Sequence, residues 1–339
     1  MGNVLSCFFP TTVVLVDDDP TFLNFLKLSL EGMPIVCKAF SDAQVALDFI
    51  NASSVDNSLD YTNLIRSGEE GTSEWKSILL NIGGLHTEIY SSNRFNKISL
   101  VISDYQMPNM NGVEFCSKIL GKGIQKILLT GLADDKIAID AFNLGYISQF
   151  FRKNLSFDIK NAVNRTINKY FKIYTDYILQ HASLGELYHL NDPIFSDFFN
   201  KIFKQDDFVE YYMLDSFGSY LMLKSNGQKR ILNVLTEIEF SRLLDVAIES
   251  EEADTETIQK LQSRKFMLVY HNRNGSLPPV SEWYRFLKPA YVIDGSQTYY
   301  YNVSDERDIN NYSKPDLDEN EIVTFDSFKK IKNYSSKDF

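Results

Sequence analysis

Five short apolar runs recur along the first half of the chain, and segments with helical periodicity separate them. The runs indicate strands at 13–17, 35–40, 100–103, 126–130 and 147–152, and the helical segments lie near 20–32, 42–51, 113–120 and 134–144. Short apolar runs that alternate with amphipathic helices are typical of βαβ units. The pattern therefore predicts an α/β domain in which a five-stranded parallel sheet carries helices on both faces.

Residues with candidate chemistry follow the carboxyl ends of these strands. Asp17 and Asp18 follow the first strand, Asp104 the third, Thr130 the fourth and Lys153 the fifth. In a doubly wound sheet of order 2-1-3-4-5, ligands bind beyond the carboxyl ends of strands one and three. Clustered carboxylates suit Mg²⁺, and a nucleophilic carboxylate beside a cation, a hydroxyl and a lysine can form and hold an acyl phosphate.

The acidic run after the first strand has two compatible interpretations. Asp17, Asp18 and Asp19 repel one another unless a cation or a lysine compensates their charge. Asp19 before Pro20 is also a favourable helix N-cap. We expect Asp19 to cap the helix while Asp17 and Asp18 face the edge of the sheet.

Residues 13–180, with the stretches LVISDYQMPNMNG and KILLTGLAD, resemble the receiver domain of two-component response regulators, the fold of the chemotaxis regulator. The resemblance implies that Asp104 is the phosphoacceptor. It also implies that Asp18 and Asp104 bind Mg²⁺ directly, with Asp17 in the acidic pair and the Gln106 carbonyl as a further ligand. The phosphoryl donor implied by the resemblance is a sensor histidine kinase or a phosphotransfer protein.

The resemblance also implies three residues that respond to phosphorylation. Thr130 would be the hydroxyl that turns toward the phosphoryl group, Lys153 would pair with its oxygens, and Phe150 occupies the position of the switch aromatic. Two positions depart from the family pattern. Gly131 replaces the usual alanine and widens access to the site, and Asn154 replaces a proline whose bond is usually cis. A cis bond before a non-proline residue costs about 2.5–4 kcal/mol, so the sequence leaves the geometry of that loop open.

The predicted organisation is a receiver domain at 11–157 with an insertion at 52–98, a long linker helix at 158–185 and an output domain at 186–339. The insertion is rich in Ser, Asn, Gly and Glu, with one helical patch at 75–82. A lid that gates the kinase is one interpretation of it, and we favour an edge decoration or partner contact. The linker helix carries an apolar stripe that suits packing on the receiver sheet: Ile159, Val163, Ile167, Tyr170, Tyr174 and Tyr177. Because the helix continues with tyrosines on the stripe, its end is expected to reach either a second subunit or the output domain, and we favour a homodimer through the fourth and fifth helices.

The second half of the chain reads as an α+β domain with an antiparallel sheet. Asp192 and Pro193 start a phenylalanine-rich helix, and strands are predicted at 209–214, 219–223, 230–235, 266–271, 290–293 and 298–303. Helices are predicted near 236–249, 254–264 and 324–332. The likeness to sensor domains of the PAS type is at the level of the fold alone.

The sequence of the output domain indicates its function less clearly than the sequence of the receiver domain does. LTEIEFSRLL at 235–244 resembles the opening helix of winged-helix DNA readers, but the acidic residues at 249–256 have the wrong sign for phosphate contacts. A DNA-binding transcriptional regulator is therefore the alternative, disfavoured interpretation. No glycine-rich phosphate loop or His/Asp metal pair indicates a catalytic output, so we expect no enzyme activity.

Composition narrows the setting of the protein. The 339 residues suit about two domains, the net charge is −11, and the three cysteines form no pair motif. No apolar run reaches the roughly 18 residues of a membrane span, so we expect a cytoplasmic protein without membrane partners. MGNVLSC also matches an acyl-acceptor pattern, with Gly2 and Cys7 as the acceptors, although an ordinary start into the first strand is the favoured interpretation.

Three stretches together resemble a narrower group, stand-alone response regulators with a receiver insertion and an uncharacterised output domain. They are EIYSSNRFNKISLVISDYQMPNMNG, KILLTGLAD and VEYYMLDSFGSYLMLKSNG. The narrower group that the chain resembles includes quorum-sensing response regulators. It implies a switch that phosphorylation at Asp104 controls and that signals by dimerisation or by protein contact of the output domain.

Overall fold

A computed structural model of the chain describes residues 3–53, 65–67, 78–80, 88–121, 123–131, 135–153, 158–181, 187–270, 277–305 and 322–335. Its strands are β1 Cys7–Phe8, β2 Thr12–Val16, β3 Val36–Phe40, β4 Ile65–Ser67, β5 Ile78–Leu80, β6 Ile98–Asp104, β7 Gln125–Thr130, β8 Gln149–Arg152, β9 Phe208–Met213, β10 Tyr220–Lys224, β11 Lys229–Thr236, β12 Phe266–Leu268, β13 Leu287–Pro289, β14 Tyr291–Asp294 and β15 Thr298–Asp305. Its α-helices are α1 Pro20–Ser29, α2 Ala43–Ser53, α3 Gly112–Ser117, α4 Asp135–Asn143, α5 Ile159–His181, α6 Pro193–Gln205, α7 Glu237–Glu249, α8 Thr255–Gln262 and α9 Phe325–Ser335. None of the described helices is both long and apolar enough to cross a membrane.

The chain forms two compact units. The parallel-sheet unit comprises residues 9–61 and 93–177, and the antiparallel-sheet unit comprises residues 1–8, 62–92 and 178–339. The division falls inside α5, and residues 1–8 belong to the second unit although the receiver sequence follows them directly. The sequence assigned those residues to neither domain.

The parallel-sheet unit has the predicted fold. Its five strands lie in the order β3-β2-β6-β7-β8, and all four neighbouring pairs are parallel. This order is the predicted 2-1-3-4-5. Every residue of β2 and β6 is buried, as expected for central strands covered on both faces. The sheet therefore brings the carboxyl ends of β2 and β6 next to each other.

Helix α5 packs along the face that its apolar stripe predicts. Ile159, Val163, Ile167, Tyr170 and Tyr174 are all buried, and their spacing of three and four residues keeps them on one side of the helix. The sixth member of the predicted stripe, Tyr177, is partly buried.

A six-stranded antiparallel sheet forms the second unit, in the order β1-β9-β10-β11-β15-β14. This confirms an α+β fold with an antiparallel sheet. β12 was predicted from the same kind of apolar run as the others, but it pairs with β13 in a separate two-stranded sheet. Phe240, Trp283 and Met267 are buried in the core around these elements.

Asp192 joins two elements of the second unit. As predicted, it caps α6: its Oδ1 accepts hydrogen bonds from the backbone N–H groups of Ile194 and Phe195. Its Oδ2 accepts from the backbone N–H of Ser296 at 2.7 Å and from the Ser296 hydroxyl at 2.6 Å. The turn between β14 and β15 is thereby fixed to the start of α6.

One sequence prediction, the helical patch in the insertion, is wrong. Ile78–Leu80 lie in the helical patch predicted at 75–82 but form β5, which pairs with β4, because a continuous apolar run of this length fits a strand as well as a helix. Cys7, an acceptor in the disfavoured acylation interpretation, is buried in β1 and pairs with Tyr212. Gly2, Asn154 and most of the 52–98 insertion lie outside the described residues, so the predictions on them stay predictions.

Candidate functional site

The candidate site lies at the carboxyl ends of four adjacent strands. Asp17 directly follows β2, Asp104 is the last residue of β6, Thr130 ends β7 and Lys153 directly follows β8. Val16 pairs with Ser103 in the parallel register of β2 and β6, so Asp17 and Asp104 come side by side. The sheet thus brings together the residues that the sequence predicted for one site.

Lys153 bridges the two buried carboxylates. Its Nζ lies 2.7 Å from Asp17 Oδ2 and 2.9 Å from Asp104 Oδ1. The Asp17 and Asp104 side chains are only 1% and 8% exposed, whereas the Lys153 side chain is 25% exposed. Two carboxylates this close would repel each other strongly in a buried setting, and the ammonium between them offsets that repulsion.

Burial and this ion pair act in opposite directions on the pKa of Asp104. Removal of water from the carboxylate raises its pKa above the usual range, and the Lys153 ammonium partly counteracts this effect. For Lys153, burial alone would lower the pKa, but the hydrogen bonds to Asp17 and Asp104 outweigh burial and raise it. Lys153 is therefore charged throughout the physiological pH range.

Asp18 completes an acidic cluster. Carboxylate oxygens of Asp17, Asp18 and Asp104 all lie within 4.8 Å of one another, with Asp18 exposed and the other two buried. Three carboxylates face the single Lys153 ammonium, so negative charge remains at the mouth of the sheet. An all-oxygen set with an open side is the donor set that Mg²⁺ prefers. Gln106 has an exposed side chain two residues after Asp104, and its role as a carbonyl ligand stays a prediction.

The backbone around the acidic cluster holds it in place. Asp17 Oδ1 accepts from the backbone N–H of Asp19 at 3.0 Å, and Asp19 Oδ1 accepts from the backbone N–H of Thr21 at 2.8 Å. Asp19 is thus the N-cap of α1, as predicted, and its pKa is lowered by the hydrogen bond from Thr21. The two interpretations of the acidic run are both correct.

Gly112 allows α3 to approach Asp104. A Cβ at this position would lie 2.1 Å from the Asp104 carbonyl oxygen and 2.6 Å from Leu128 Cδ1. The Gly112 N–H donates to the Tyr105 carbonyl at 2.9 Å, which closes the loop after the phosphoacceptor candidate. This steric role of Gly112 depends on tertiary packing, so the sequence alone does not reveal it.

Thr130 and Phe150 lie on the side of the site nearest β8. The Thr130 hydroxyl is fully buried and has no hydrogen-bond partner among the described residues. A buried hydroxyl without a hydrogen-bond partner carries a desolvation penalty, so a new hydrogen bond to this group would be favourable. Phe150 pairs with Leu128 across β7 and β8 and packs, partly buried, against the core. Gly131 is exposed next to Thr130.

Sequence reasoning missed the contact of Phe22 with the site. The centroid of the Phe22 ring lies 4.4 Å from Lys153 Nζ, the geometry of a cation–π interaction. Phe22 lies in the helical segment predicted near 20–32, and the sequence assigned it no role in the site. Its position in the first helical turn, directly after the acidic run, was the one available signal.

No family model and no curated protein matches the chain. Among solved structures, the Legionella pneumophila response regulator LqsR matches with a TM-score of 0.79 and 28% sequence identity, over 96% of this chain and 95% of that chain.

Two further matches each cover about half of this chain. A response regulator receiver domain protein from Clostridium thermocellum matches at 20% identity and a TM-score of 0.32, over 48% of this chain and 98% of its own. A chain described as adenylate cyclase from Rhodopirellula baltica matches at 24% identity and a TM-score of 0.35, over 51% of this chain and 99% of its own.

The whole-chain likeness to LqsR and the acidic cluster bridged by Lys153 lead to the same assignment. The chain resembles two-component response regulators: it is similar to LqsR over nearly its whole length, and its parallel-sheet unit has the fold expected of a receiver domain beside an α+β unit with an antiparallel sheet.

Proposed function

We propose that phosphorylation of Asp104 switches this protein, with a sensor histidine kinase or a phosphotransfer protein as the phosphoryl donor. The observation that carries the proposal is the position of Asp104 at the mouth of the sheet, bonded to Lys153 and beside Asp17 and Asp18. An Asp104 oxygen attacks phosphorus, the bond from phosphorus to the donor breaks, and the donor leaves with its electron pair. Lys153 is close enough to pair with the phosphoryl oxygens.

Mg²⁺ fits the donor set of the site. Asp18 and Asp104, with the carbonyl of Gln106 and with Asp17 in the acidic pair, are the residues that would hold it. The ion would supply positive charge for the phosphoryl oxygens. The chain itself supplies the nucleophile on Asp104 and the ammonium of Lys153, and it keeps both in a largely buried pocket where charge interactions are strong.

Beryllofluoride binding tests the phosphorylation site. With Mg²⁺ present, beryllofluoride should bind wild-type protein in a calorimetric titration, and Asp104→Asn should abolish that binding. Asp48→Asn is the matched control, because Asp48 is an exposed carboxylate on α2 away from the strand ends. Binding that persists in Asp104→Asn would refute the assignment of Asp104.

The exposed apolar side chains on and after α4 support our proposal that the protein signals through a homodimer or another protein contact. Ile137, Ile139 and Phe142 lie on the helix, and Leu144 and Tyr146 follow it, each at least 40% exposed. Exposed apolar residues that cluster in this way are typical of an interaction surface. We propose that a second copy of the chain covers this surface once Thr130 and Phe150 have responded to phosphorylation.

Light scattering tests this step. The molar mass should double when beryllofluoride and Mg²⁺ are added, and Phe142→Glu should prevent the increase without loss of beryllofluoride binding. Phe25→Glu is the matched control, because Phe25 and Phe142 are both 50% exposed. Lys153→Ala should separate phosphorylation from dimerisation, and an unchanged mass in activated wild type would refute the dimer.

A DNA-binding output remains the disfavoured alternative. The helix after α7 is α8, which Asp254 caps and whose first turn carries the exposed Glu256. Carboxylates at these positions would repel DNA phosphates. A mobility-shift titration against salt decides between the two, because a sequence-specific shift that beryllofluoride strengthens would favour the DNA reader.

The remaining expectations belong to the same proposal. We propose a cytoplasmic protein that acts without an enzymatic output and without a membrane partner. The resemblance to quorum-sensing response regulators is part of the proposal, and the whole-chain likeness to the response regulator LqsR supports the response-regulator part of it.

A further inference from the structure

Among the described residues, the Lys153 ammonium has three close contacts, two carboxylates and one aromatic ring. Asp17 and Asp104 accept its hydrogen bonds, and the Phe22 ring lies 4.4 Å from Nζ. A ring face attracts a cation through its quadrupole, and it also keeps water from that side of the ammonium. The ring is thus a third contact of the ammonium, in addition to its two hydrogen-bonded carboxylates.

The position of Phe22 is coupled to the acidic cluster through the backbone. Asp17 uses Oδ2 for Lys153 and Oδ1 for the backbone N–H of Asp19. Asp19 in turn caps the first turn of α1, and Phe22 lies in that turn. One buried carboxylate thus fixes the ammonium and also the helical turn that carries the ring.

We propose that Phe22 is a positioning residue for the phosphorylation site, whose ring holds the Lys153 ammonium in place for the phosphoryl oxygens on Asp104. This inference rests on the proposed phosphorylation of Asp104. It adds a residue of α1 to a site otherwise made from residues after four strands. The ring acts through Lys153 and does not itself contact the phosphoryl group.

A set of three variants tests the role of the ring. Phe22→Leu keeps an apolar side chain but removes the ring face, and Phe22→Tyr restores it. We expect Phe22→Leu to weaken beryllofluoride binding in the presence of Mg²⁺ by about threefold to tenfold, and Phe22→Tyr to recover most of that loss. The matched control is Phe25→Leu, because the Phe25 ring stacks on Phe22 at 5.8 Å and lies one turn further along α1.

A spectroscopic measurement separates positioning from a general effect on folding. In unphosphorylated protein, the ring current of Phe22 should shift the Lys153 ε-methylene protons upfield, and the shift should disappear in Phe22→Leu and persist in Phe25→Leu. Thermal unfolding of all three variants identifies any that fold poorly. In the variants that fold, the proton shift measures the contact between the ring and Lys153.

The outcomes distinguish this inference from the proposed function. Equal beryllofluoride affinity in wild type and Phe22→Leu would overturn the role of the ring, and so would equal losses in Phe22→Leu and Phe22→Tyr, or in Phe22→Leu and Phe25→Leu. An absent ring-current shift in wild type would overturn the contact even if beryllofluoride binds. Failure of wild type to bind beryllofluoride, with the ring-current shift present, would instead refute the phosphorylation of Asp104, and the inference with it.

Discussion

Met213 donates its backbone N–H to the carbonyl oxygen of Ser6 at 2.8 Å, so the start of the chain completes the sheet of the output domain. Cys7 and Phe8 continue the pairing with Tyr212 and Tyr211. The output domain therefore contains a segment that precedes the receiver sequence as well as the segment that follows it. A fragment that begins after α5 would lack its first strand.

Shortening the N-terminus should destabilise the output domain. Val4, Leu5 and Cys7 are buried in this unit, and Phe8 stacks on Tyr211, so deletion of residues 2–8 exposes the apolar surface that they cover. Leu5→Ala alone should lower the free energy of unfolding by about 2–3 kcal/mol, in the range for buried leucines. Urea denaturation followed by fluorescence of the buried Trp283, in a Trp75→Phe background, measures the change.

The same substitution at a surface position provides the control. Leu28 on α1 is 70% exposed, so Leu28→Ala should change the free energy of unfolding by less than about 0.5 kcal/mol. If deletion of residues 2–8 leaves the Trp283 transition unchanged, the strand is not a structural part of the output domain.

Thr130→Val should separate stability from signalling. The Thr130 hydroxyl is buried without a partner among the described residues, so replacing it by a methyl group should leave the free energy of unfolding unchanged or raise it slightly. The same change removes the group that would bond the phosphoryl oxygens, so beryllofluoride should no longer increase the molar mass in light scattering. A clear loss of stability would show that the hydroxyl already has a partner in the resting protein.

The receiver half was predictable because its signals are local. Each strand is a short apolar run, and a parallel sheet brings carboxyl ends together whatever the loops do, so Asp17, Asp104 and Lys153 could be assigned to one site. The cap at Asp19 needed only its own sequence neighbours. All of these features can be predicted without knowledge of contacts between residues that are distant in the sequence.

The features that sequence reasoning missed are non-local. Cys7 pairs with Tyr212 about two hundred residues away, and no periodicity in CFF indicates which sheet will accept it. β12 has the apolar composition of a sheet strand, and only tertiary packing decides that it pairs with β13. The contact of Phe22 with Lys153 depends in the same way on the approach of α1 to the end of β8.

Gly112→Ala should disturb the site directly. The new Cβ would lie 2.1 Å from the Asp104 carbonyl oxygen, so either α3 or the end of β6 has to move. Overpacking of this kind costs about 1–3 kcal/mol, and we also expect weaker beryllofluoride binding because Asp104 itself shifts. Thermal unfolding and calorimetry measure the two effects.

Glu114→Ala in the same helix is the control for that substitution. Glu114 is exposed and pairs only with Lys118 at the surface among the described residues, so its loss should change stability little. Wild-type beryllofluoride affinity in Gly112→Ala would show that the backbone can yield without moving the Asp104 carboxylate.

Acid should destabilise the output domain through His189. The imidazole is fully buried, near Phe195 and Tyr220, and burial lowers its pKa from 6.5 to about 3, although Asp192 partly opposes the shift. The unfolded chain therefore binds a proton that the folded domain excludes. The contribution of His189 to stability is complete above about pH 6.5 and is lost as the pH falls toward about 3, at up to about 1.4 kcal/mol per pH unit.

The Trp283 transition in urea, measured from pH 7.5 to pH 4.5 in a Trp75→Phe background, should show this loss. His189→Gln keeps a polar group opposite the Tyr220 hydroxyl, which lies 3.2 Å from His189 Nε2, but does not titrate, so its stability should fall less steeply with pH. Its stability at pH 7.5 is expected to be lower than that of wild type, because the ring contacts are lost. Parallel pH dependences of wild type and His189→Gln would assign the acid sensitivity to other groups, since the titration of His189 would then contribute nothing.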